Sequence, residues 1–152
     1  MKSNATVTIN APADMVFLWL EDNDRLKKWV PNIVEDETIL DTPDKVGSKF
    51  RQVYLERGKE MEMFGELTEY IENERMRLDI TGDMFDMDLI YILTPQGPET
   101  SQLEQNTTIK FKGLMKFLSP IFSVMAKLGG DKATKVSLDR LKQMAEAEHK
   151  NT

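Results

Sequence analysis

Closely spaced turn signals between residues 32 and 112 constrain the fold of this chain more than any other feature of its sequence. Residues that favour turns occur at five places: Asp41-Thr42-Pro43-Asp44, Gly58-Lys59, Glu72-Asn73-Glu74, Gly82-Asp83 and Pro95-Gln96-Gly97-Pro98. The segments between these turns have the length of strands. Parallel strands need a crossover of about a dozen residues or more, whereas antiparallel strands need only a short turn. The sequence therefore predicts an antiparallel meander.

The N-terminal segment predicts one strand and two short helices. Residues 5–9 alternate between polar and apolar side chains, which is the period of a half-buried strand. Asn10-Ala11-Pro12 favours a helix entry, because proline suits the first helical turn. The apolar run 15–20 predicts that this helix is wedged between other elements. A second helical turn covers residues 25–28 and ends before Pro31.

The C-terminal segment predicts one long helix. Ser119-Pro120 supplies a cap followed by proline at the first helical position, and apolar residues then recur at helical spacing. Gly129-Gly130 predicts a bend or a loosening of this helix. The tail from about Glu146 is expected to fray. Because no linker or repeat interrupts the chain, residues 1–152 are predicted to form a single domain.

Composition excludes several classes of site. The 152 residues contain no cysteine and one histidine, His149 in a polar tail, which excludes thiolate nucleophiles, Cys-ligated metals and histidine-based triads. The net charge of -6 argues against nucleic acid as a partner. No apolar stretch approaches about 20 residues, and the first residues lack an apolar signal region. We therefore expect no metal, no cofactor, no stable membrane insertion and a cytoplasmic location.

Pairing across the predicted hairpins places apolar side chains on one face of the sheet. Two-residue loops at the glycine turns, with a tight turn at 72–75, give these facing pairs: Tyr54 with Met63, Phe50 with Leu67, Ile71 with Met76, Ile80 with Phe85, Leu78 with Met87 and Met76 with Leu89. A one-residue change at Gly58 would turn Val53 and Leu55 inward in place of Tyr54 and Glu56.

The shared face of these pairs is the predicted wall of a cavity. The predicted ligand-binding residues are Trp29, Phe50, Tyr54, Met61, Met63, Leu67, Met76, Leu78, Ile80, Met87, Leu89, Tyr91, Leu103, Gln105, Thr107, Ile109, Phe122 and Met125. Flexible methionine thioethers adapt to an irregular apolar ligand. The alternative is that the methionines fill an ordinary core beneath the long helix.

Glu69 is the one candidate catalytic residue. In a regular strand it joins Leu67 and Ile71 on the inner face, where burial would raise its pKa and suit it to proton transfer. A bulge near Thr68 would instead turn it outward. The outward position is the more common one for glutamate, which is seldom buried without a partner.

Three other features have ordinary structural explanations. The apolar segment 113–122 is expected to be a buried helix entry, with a ligand portal as the alternative. Trp19 and Trp29 are expected to pack in the core, although the position of Trp29 also suits the mouth of a cavity. The aspartates between residues 83 and 88 lack the loop of oxygen ligands that calcium requires.

Several motifs in a fixed order extend over essentially the whole chain. They are residues 7–17 (VTINAPADMVF), Trp29-Val30-Pro31, Val46-Gly47-Ser48-Lys49-Phe50, Gly65-Glu66-Leu67-Thr68-Glu69-Tyr70, Tyr91-Ile92-Leu93-Thr94-Pro95 and the C-terminal helix. Each motif is structural, but together their order and spacing resemble the SRPBCC superfamily (START-like, Bet v 1-like), in its polyketide cyclase/dehydrase and lipid-transport branch.

The resemblance implies an α+β helix-grip fold. In this fold a seven-stranded antiparallel sheet wraps around a long C-terminal helix, two short helices follow the first strand, and a cavity separates sheet from helix. The resemblance does not imply one reaction, because members of the superfamily act as lipid or quinone carriers, aromatic cyclases, hormone receptors and chaperone regulators. Function must therefore be argued from the site.

Three functions are compatible with the sequence. The first is binding or transport of a small hydrophobic ligand, such as a lipid, quinone or polyketide-like molecule. The second is an enzyme of the cyclase/dehydratase type, with Glu69 or a tyrosine moving a proton. The third is a protein-binding regulator whose acidic outer sheet face meets a basic partner. An open cavity of more than roughly 300 Å³ favours ligand binding, whereas a filled interior favours the regulator.

Overall fold

The computed structural model describes the backbone of residues 1–152 and the side chains of all residues except 115 and 118–129. The elements are β1 (Lys2–Ile9), α1 (Ala13–Glu21), α2 (Asn23–Trp29), β2 (Ile33–Leu40), β3 (Lys49–Glu56), β4 (Lys59–Ile71), β5 (Arg75–Gly82), β6 (Phe85–Gly97), β7 (Thr100–Phe111) and α3 (Met115–Lys150). The strands form one antiparallel sheet in the order β1-β7-β6-β5-β4-β3-β2. The predicted α+β helix-grip architecture is therefore confirmed.

Side chains of α3 cover the edge strand β1 and the turn that follows it. They bond the backbone as follows: Asp131 Oδ1 accepts from Asn4 N–H at 3.1 Å, Lys135 Nζ donates to Thr6 O at 3.1 Å, Lys142 Nζ donates to Thr8 O at 2.8 Å, and Glu146 Oε2 accepts from Asn10 N–H at 2.7 Å. These bonds satisfy backbone groups that would otherwise be free to pair with another strand. They also hold α3 against β1 and β7, the two strands at one edge of the sheet.

Both ends of α3 differ from the sequence-based expectation. The helix begins at Met115 rather than at Ser119-Pro120, because Gly113, with a φ of 61°, turns the chain directly after β7. It continues to Lys150 instead of fraying from Glu146. Glu148 stabilises this last part, since its Oε2 accepts a 2.6 Å hydrogen bond from Trp19 Nε1 and pairs with the Arg25 guanidinium.

The two glycine hairpins are each shifted by two residues from the predicted register. Tyr54 pairs with Met61 rather than Met63, because the tight turn is formed by Arg57-Gly58, both at positive φ, as in a type I′ turn. The second hairpin closes around residues 82–85 instead of 82–83. A shift of two residues leaves every side chain on the same face of the strand. The predicted inner face therefore survives although its facing pairs were wrong.

A bulge at Thr68 changes the faces of the residues that follow it in β4. The register with β5 slips at this position, so that Tyr70 rather than Ile71 pairs with Met76. Ile71 is half exposed, and Tyr70 takes the inward position. The bulge also places Glu69 on the outer face, which is the position that the sequence favoured over the inward one.

Candidate ligand-binding cavity

A cavity of about 960 Å³ lies between the inner face of the sheet and the helices. Its lining includes residues of α1 and α2 and, from α3, residues 130, 133, 134 and 137. Ligand sites typically have volumes of roughly 300–1,000 Å³. Among the residues whose side chains the structure describes, this space is therefore large enough to meet the condition that favours ligand binding over the regulator hypothesis.

Nearly all of the predicted binding residues with described side chains line this cavity. They are Trp29, Phe50, Tyr54, Met61, Met63, Leu67, Met76, Leu78, Ile80, Met87, Leu89, Tyr91, Gln105, Thr107 and Ile109. Leu103 does not line the cavity, and its side chain is fully buried in the hydrophobic core. Phe122 and Met125 lie outside the described side chains. Contact with a ligand remains a prediction for each of these residues.

The methionines of the inner face divide into two groups. Met63 and Met76 are only 1% and 4% exposed, so they pack as core residues as well as facing the cavity. Met61 and Met87 are half-buried and pack against the edge of that core. The core-filling alternative therefore describes the first pair, and the second pair is free to adapt to a ligand.

Trp29 joins the short helices to the cavity wall. Its indole Nε1 donates a 2.9 Å hydrogen bond to the backbone oxygen of Trp19, and its ring meets Tyr91 edge to face at 6.4 Å. The side chain is 1% exposed. Trp29 is thus a core residue, as expected, and also part of the lining.

Tyr70 fixes α1 against the neighbouring part of the wall. Its ring meets Phe17 edge to face at 5.6 Å, and its hydroxyl donates a 2.7 Å hydrogen bond to Glu21 Oε2. Burial of the ring, together with the acceptor Glu21, raises the pKa of Tyr70. Only the bulge at Thr68 makes this inward position available.

Three hydrogen-bonded side chains, Asp36, Gln52 and Tyr54, form what we call the polar corner of the cavity. Tyr54 Oη donates to Gln52 Oε1 at 2.8 Å, and Gln52 Nε2 donates to Asp36 Oδ1 at a longer 3.4 Å. Asp36 and Gln52 are direct partners across β2 and β3, and Tyr54 is two residues further along β3. All three line the cavity.

Burial controls the ionisation of the polar corner. It raises the pKa of Asp36, an effect opposed by the hydrogen bond from Gln52 and by the charge of Lys27. It also raises the pKa of Tyr54, to which the nearby Asp36 charge adds, and that of Tyr91. The second carboxylate oxygen of Asp36 is buried and has no partner among the described residues.

Sequence reasoning missed Asp36 and Gln52. Gln52 could have been found, because strict alternation places it between Phe50 and Tyr54 on the inner face. Asp36 could not, since alternation from the buried Ile33 turns residue 36 outward. A register shift early in β2 reverses this order and brings Asp36 opposite Gln52.

Glu69 lies outside the cavity in a group of ion pairs. Its carboxylate is 2.6 Å from Arg75 Nε and 3.2 Å from Arg77 Nη1, and Arg77 also reaches Asp88 at 2.8 Å. The hydrogen bonds from Arg75 and then Arg77 lower the pKa of Glu69. A carboxylate with a lowered pKa on the outer face is a poor candidate for proton transfer to a cavity ligand.

The described residues show neither a metal cluster nor a spanning helix. No group of three or more His, Cys, Asp or Glu side chains among them could hold a metal ion. Asp88 is paired with Arg77, and Asp86 lies 2.7 Å from Lys112 Nζ. In the same part of the chain, no helix is both long and apolar enough to cross a membrane.

The start of α3 and the residue before it are more exposed than the sequence suggested. Leu114 and Phe117 are 83% and 82% exposed. The expectation of a buried helix entry is therefore wrong for these two residues. Because these two apolar side chains are exposed to water, the alternative of a ligand portal in this segment stays a prediction.

The chain matches one family over almost its full length. The match covers residues 1–146, and the family is described as polyketide cyclase / dehydrase and lipid transport. No curated protein matches the sequence.

Several solved structures share the fold at low sequence identity. The protein TTHA0849 from Thermus thermophilus aligns with a TM-score of 0.80 at 17% identity, covering 97% of this chain and 99% of that one. The Zhui aromatase/cyclase from Streptomyces sp. R1128 aligns with 0.77 at 16% identity, covering 96% and 93%. A START superfamily protein from Mycobacterium smegmatis aligns with 0.71 at 18% identity, covering 99% and 97%. With its family match over residues 1–146, the chain belongs to the polyketide cyclase/dehydrase and lipid-transport family.

Proposed function

We propose that this protein binds a small hydrophobic molecule in the cavity, as a carrier or a sensor. The observation that carries the proposal is the 960 Å³ space in front of the apolar inner face of the sheet. Removal of apolar surface from water supplies the driving force, at roughly 25 cal/mol per Å² before the costs of association. The polar corner supplies orientation.

The family supports this proposal without naming a ligand. Its description includes lipid transport as well as polyketide cyclisation. One structural neighbour is an aromatase/cyclase, and its activity is a property of that protein. At 16% identity the likeness concerns the fold alone. A lipid, a quinone and a polyketide-like molecule all remain candidates, and a cytoplasmic location remains a prediction.

The groups that the sequence named for proton transfer, Glu69 and a tyrosine, do not support the enzyme hypothesis. Glu69, the proposed base, is held by Arg75 and Arg77 on the outer face. Tyr54 and Tyr91 have raised pKa values, so both retain their protons at neutral pH and offer no base.

The outer face gives limited support to the regulator hypothesis. There Arg51 lies 2.8 Å from Glu35 and 2.5 Å from Glu62, with Glu37 at 3.8 Å. These acidic groups already have a cation beside them, which weakens their attraction for a basic partner.

Native mass spectrometry of protein purified without denaturation tests the proposal. We expect an adduct of a hydrophobic molecule that is lost on unfolding. In parallel, a thermal-shift panel of lipids, quinones and aromatic compounds should contain compounds that raise the Tm, because a ligand bound only by the folded state stabilises it. The absence of both an adduct and a stabilising compound would contradict ligand binding.

A further inference from the structure

We propose that the polar corner selects a hydrophobic ligand whose head group carries a hydroxyl that donates a hydrogen bond, in preference to ether or carboxylate head groups. This inference rests on the proposed function and adds to it the chemical class of the head group. The supporting observation is the direction of the hydrogen bonds that connect Asp36, Gln52 and Tyr54.

The carboxylate sets that direction. An ionised Asp36 can only accept hydrogen bonds, so the amide nitrogen of Gln52 must face it and the amide oxygen must face away. That oxygen then accepts the Tyr54 hydroxyl at 2.8 Å. The Tyr54 proton is thereby committed to Gln52, and the phenolic oxygen has only lone pairs left to offer the cavity.

The corner therefore has acceptors that lack donors. The second Asp36 oxygen is buried and has no partner among the described residues. Asp36 and Tyr54 both line the cavity. A buried acceptor without a donor is unfavourable. A ligand hydroxyl supplies a proton to the phenolic oxygen of Tyr54 directly, and to Asp36 after its carboxylate turns toward the cavity, because the unpaired oxygen has almost no exposed surface of its own. An ether or ester oxygen would bring a third acceptor to the same place.

The charge of the cavity lining disfavours an anionic head group. Among the described lining residues the acidic ones are Glu21, Asp22, Asp24, Asp36, Asp41 and Glu56, and the positive groups are Lys45, Lys49 and the N-terminal amine of Met1. Lys45 is already 3.4 Å from the Asp41 carboxylate. A carboxylate ligand would thus enter a region of net negative charge.

Three ligands with one tail test the inference. They are 4-octylphenol, 4-octylanisole and 4-octylbenzoate, which differ at the head group as donor, acceptor only and anion. Titration calorimetry with the full chain at neutral pH should show 4-octylphenol binding at least roughly tenfold more tightly than 4-octylanisole, the effect expected of a hydrogen bond to a charged group. The benzoate should bind most weakly.

The variant Asp36→Asn should remove this preference. An asparagine amide can donate as well as accept, so the chain of hydrogen bonds can reverse and release the Tyr54 hydroxyl toward the anisole oxygen. The phenol-to-anisole affinity ratio should fall toward one. Glu37→Gln, one position along β2 on the outer face and 3.8 Å from Arg51, is the matched control and should keep the wild-type ratio.

Tyr54→Phe provides a second variant that keeps the ring. It removes the phenolic acceptor, so 4-octylphenol should lose affinity while 4-octylanisole should not. Equal affinity of the wild type for these two ligands, or an unchanged ratio in both variants, would overturn the head-group inference and leave the proposed function standing. Failure of all three ligands to bind would count against both.

Discussion

The hydroxyl of Tyr54 donates a 2.8 Å hydrogen bond to Oε1 of Gln52, two residues earlier on the same strand. Both side chains face the cavity, and the Gln52 amide extends the connection to Asp36 on the neighbouring strand. The chain thus places a partly desolvated carboxylate beside an apolar wall. Polar groups that reduce stability in this way are common at binding sites.

Asp36→Asn should stabilise the ligand-free protein at neutral pH. Burial raises the pKa of Asp36 in the folded state, so the folded protein takes up a proton more readily than the unfolded chain does. Stability from this group is present at low pH and is lost as the pH rises through the folded-state pKa. The variant should therefore have a higher Tm than the wild type at neutral pH, and the difference should shrink below about pH 4, the ordinary aspartate range. A lower Tm for the variant at neutral pH would contradict this assignment.

Met61→Trp should block ligand binding by filling the cavity. Met61 is half-buried and lines the cavity, whereas the adjacent Glu60 is exposed on the opposite face of the same strand. We expect Met61→Trp to weaken the binding of 4-octylphenol by at least roughly tenfold, since overpacking costs about 1–3 kcal/mol. Glu60→Trp is the control of equal size and should bind as the wild type does. Equal losses in both variants would mean that the ligand does not occupy this space.

Gly65→Ala should disturb the cavity through Phe50. Gly65 lies directly across from Phe50 in the β3–β4 register, and an added Cβ would fall 2.0 Å from the ring atom Cζ. The ring must move, at an expected cost of about 1–3 kcal/mol in the free energy of unfolding, with weaker ligand binding. Gly97→Ala is the control, because nothing lies within 4 Å of its added Cβ. Urea denaturation should give a lower free energy of unfolding for Gly65→Ala than for Gly97→Ala. Equal values would contradict the close approach of Gly65 and Phe50.

Glu69→Gln should leave ligand affinity unchanged. Arg75 and Arg77 lower the pKa of Glu69, so its contribution to stability is present above the unfolded-state pKa and is lost as the pH falls through the folded-state value. The variant should show a small loss of Tm at neutral pH, because the ion pairs are partly exposed, and no loss in strong acid. A large loss of ligand affinity in this variant would show that Glu69 contributes to ligand binding.

The inner face of the sheet was predictable because alternation depends only on parity. Shifting the Tyr54 pairing from Met63 to Met61 moved the partner by two residues and left both methionines facing inward. Tyr70 and Asp36 show the limit of this argument. A single extra residue in β4 and another irregularity in β2 reversed their faces, and such bulges have no reliable local signature.

The start of α3 shows a different limit. Ser119-Pro120 is a good helix-entry signal, yet the helix begins at Met115, directly after the turn at Gly113. Local capping preferences contribute about 1 kcal/mol and are overridden by the geometry of the preceding strand. With the helix starting at Met115, Leu114 and Phe117 are exposed, whereas hydropathy alone predicts that both are buried.

NMR of methionine methyl groups tests most directly whether a ligand occupies the cavity. The protein is labelled with ¹³C at the methionine methyls and titrated with 4-octylphenol. Met61, Met63, Met76 and Met87 line the cavity, so their signals should shift and show NOEs to the octyl chain. Met15 and Met144, which are absent from the lining, should change little. Binding with unchanged signals from Met61, Met63, Met76 and Met87, or with shifts confined to Met15 and Met144, would contradict the account.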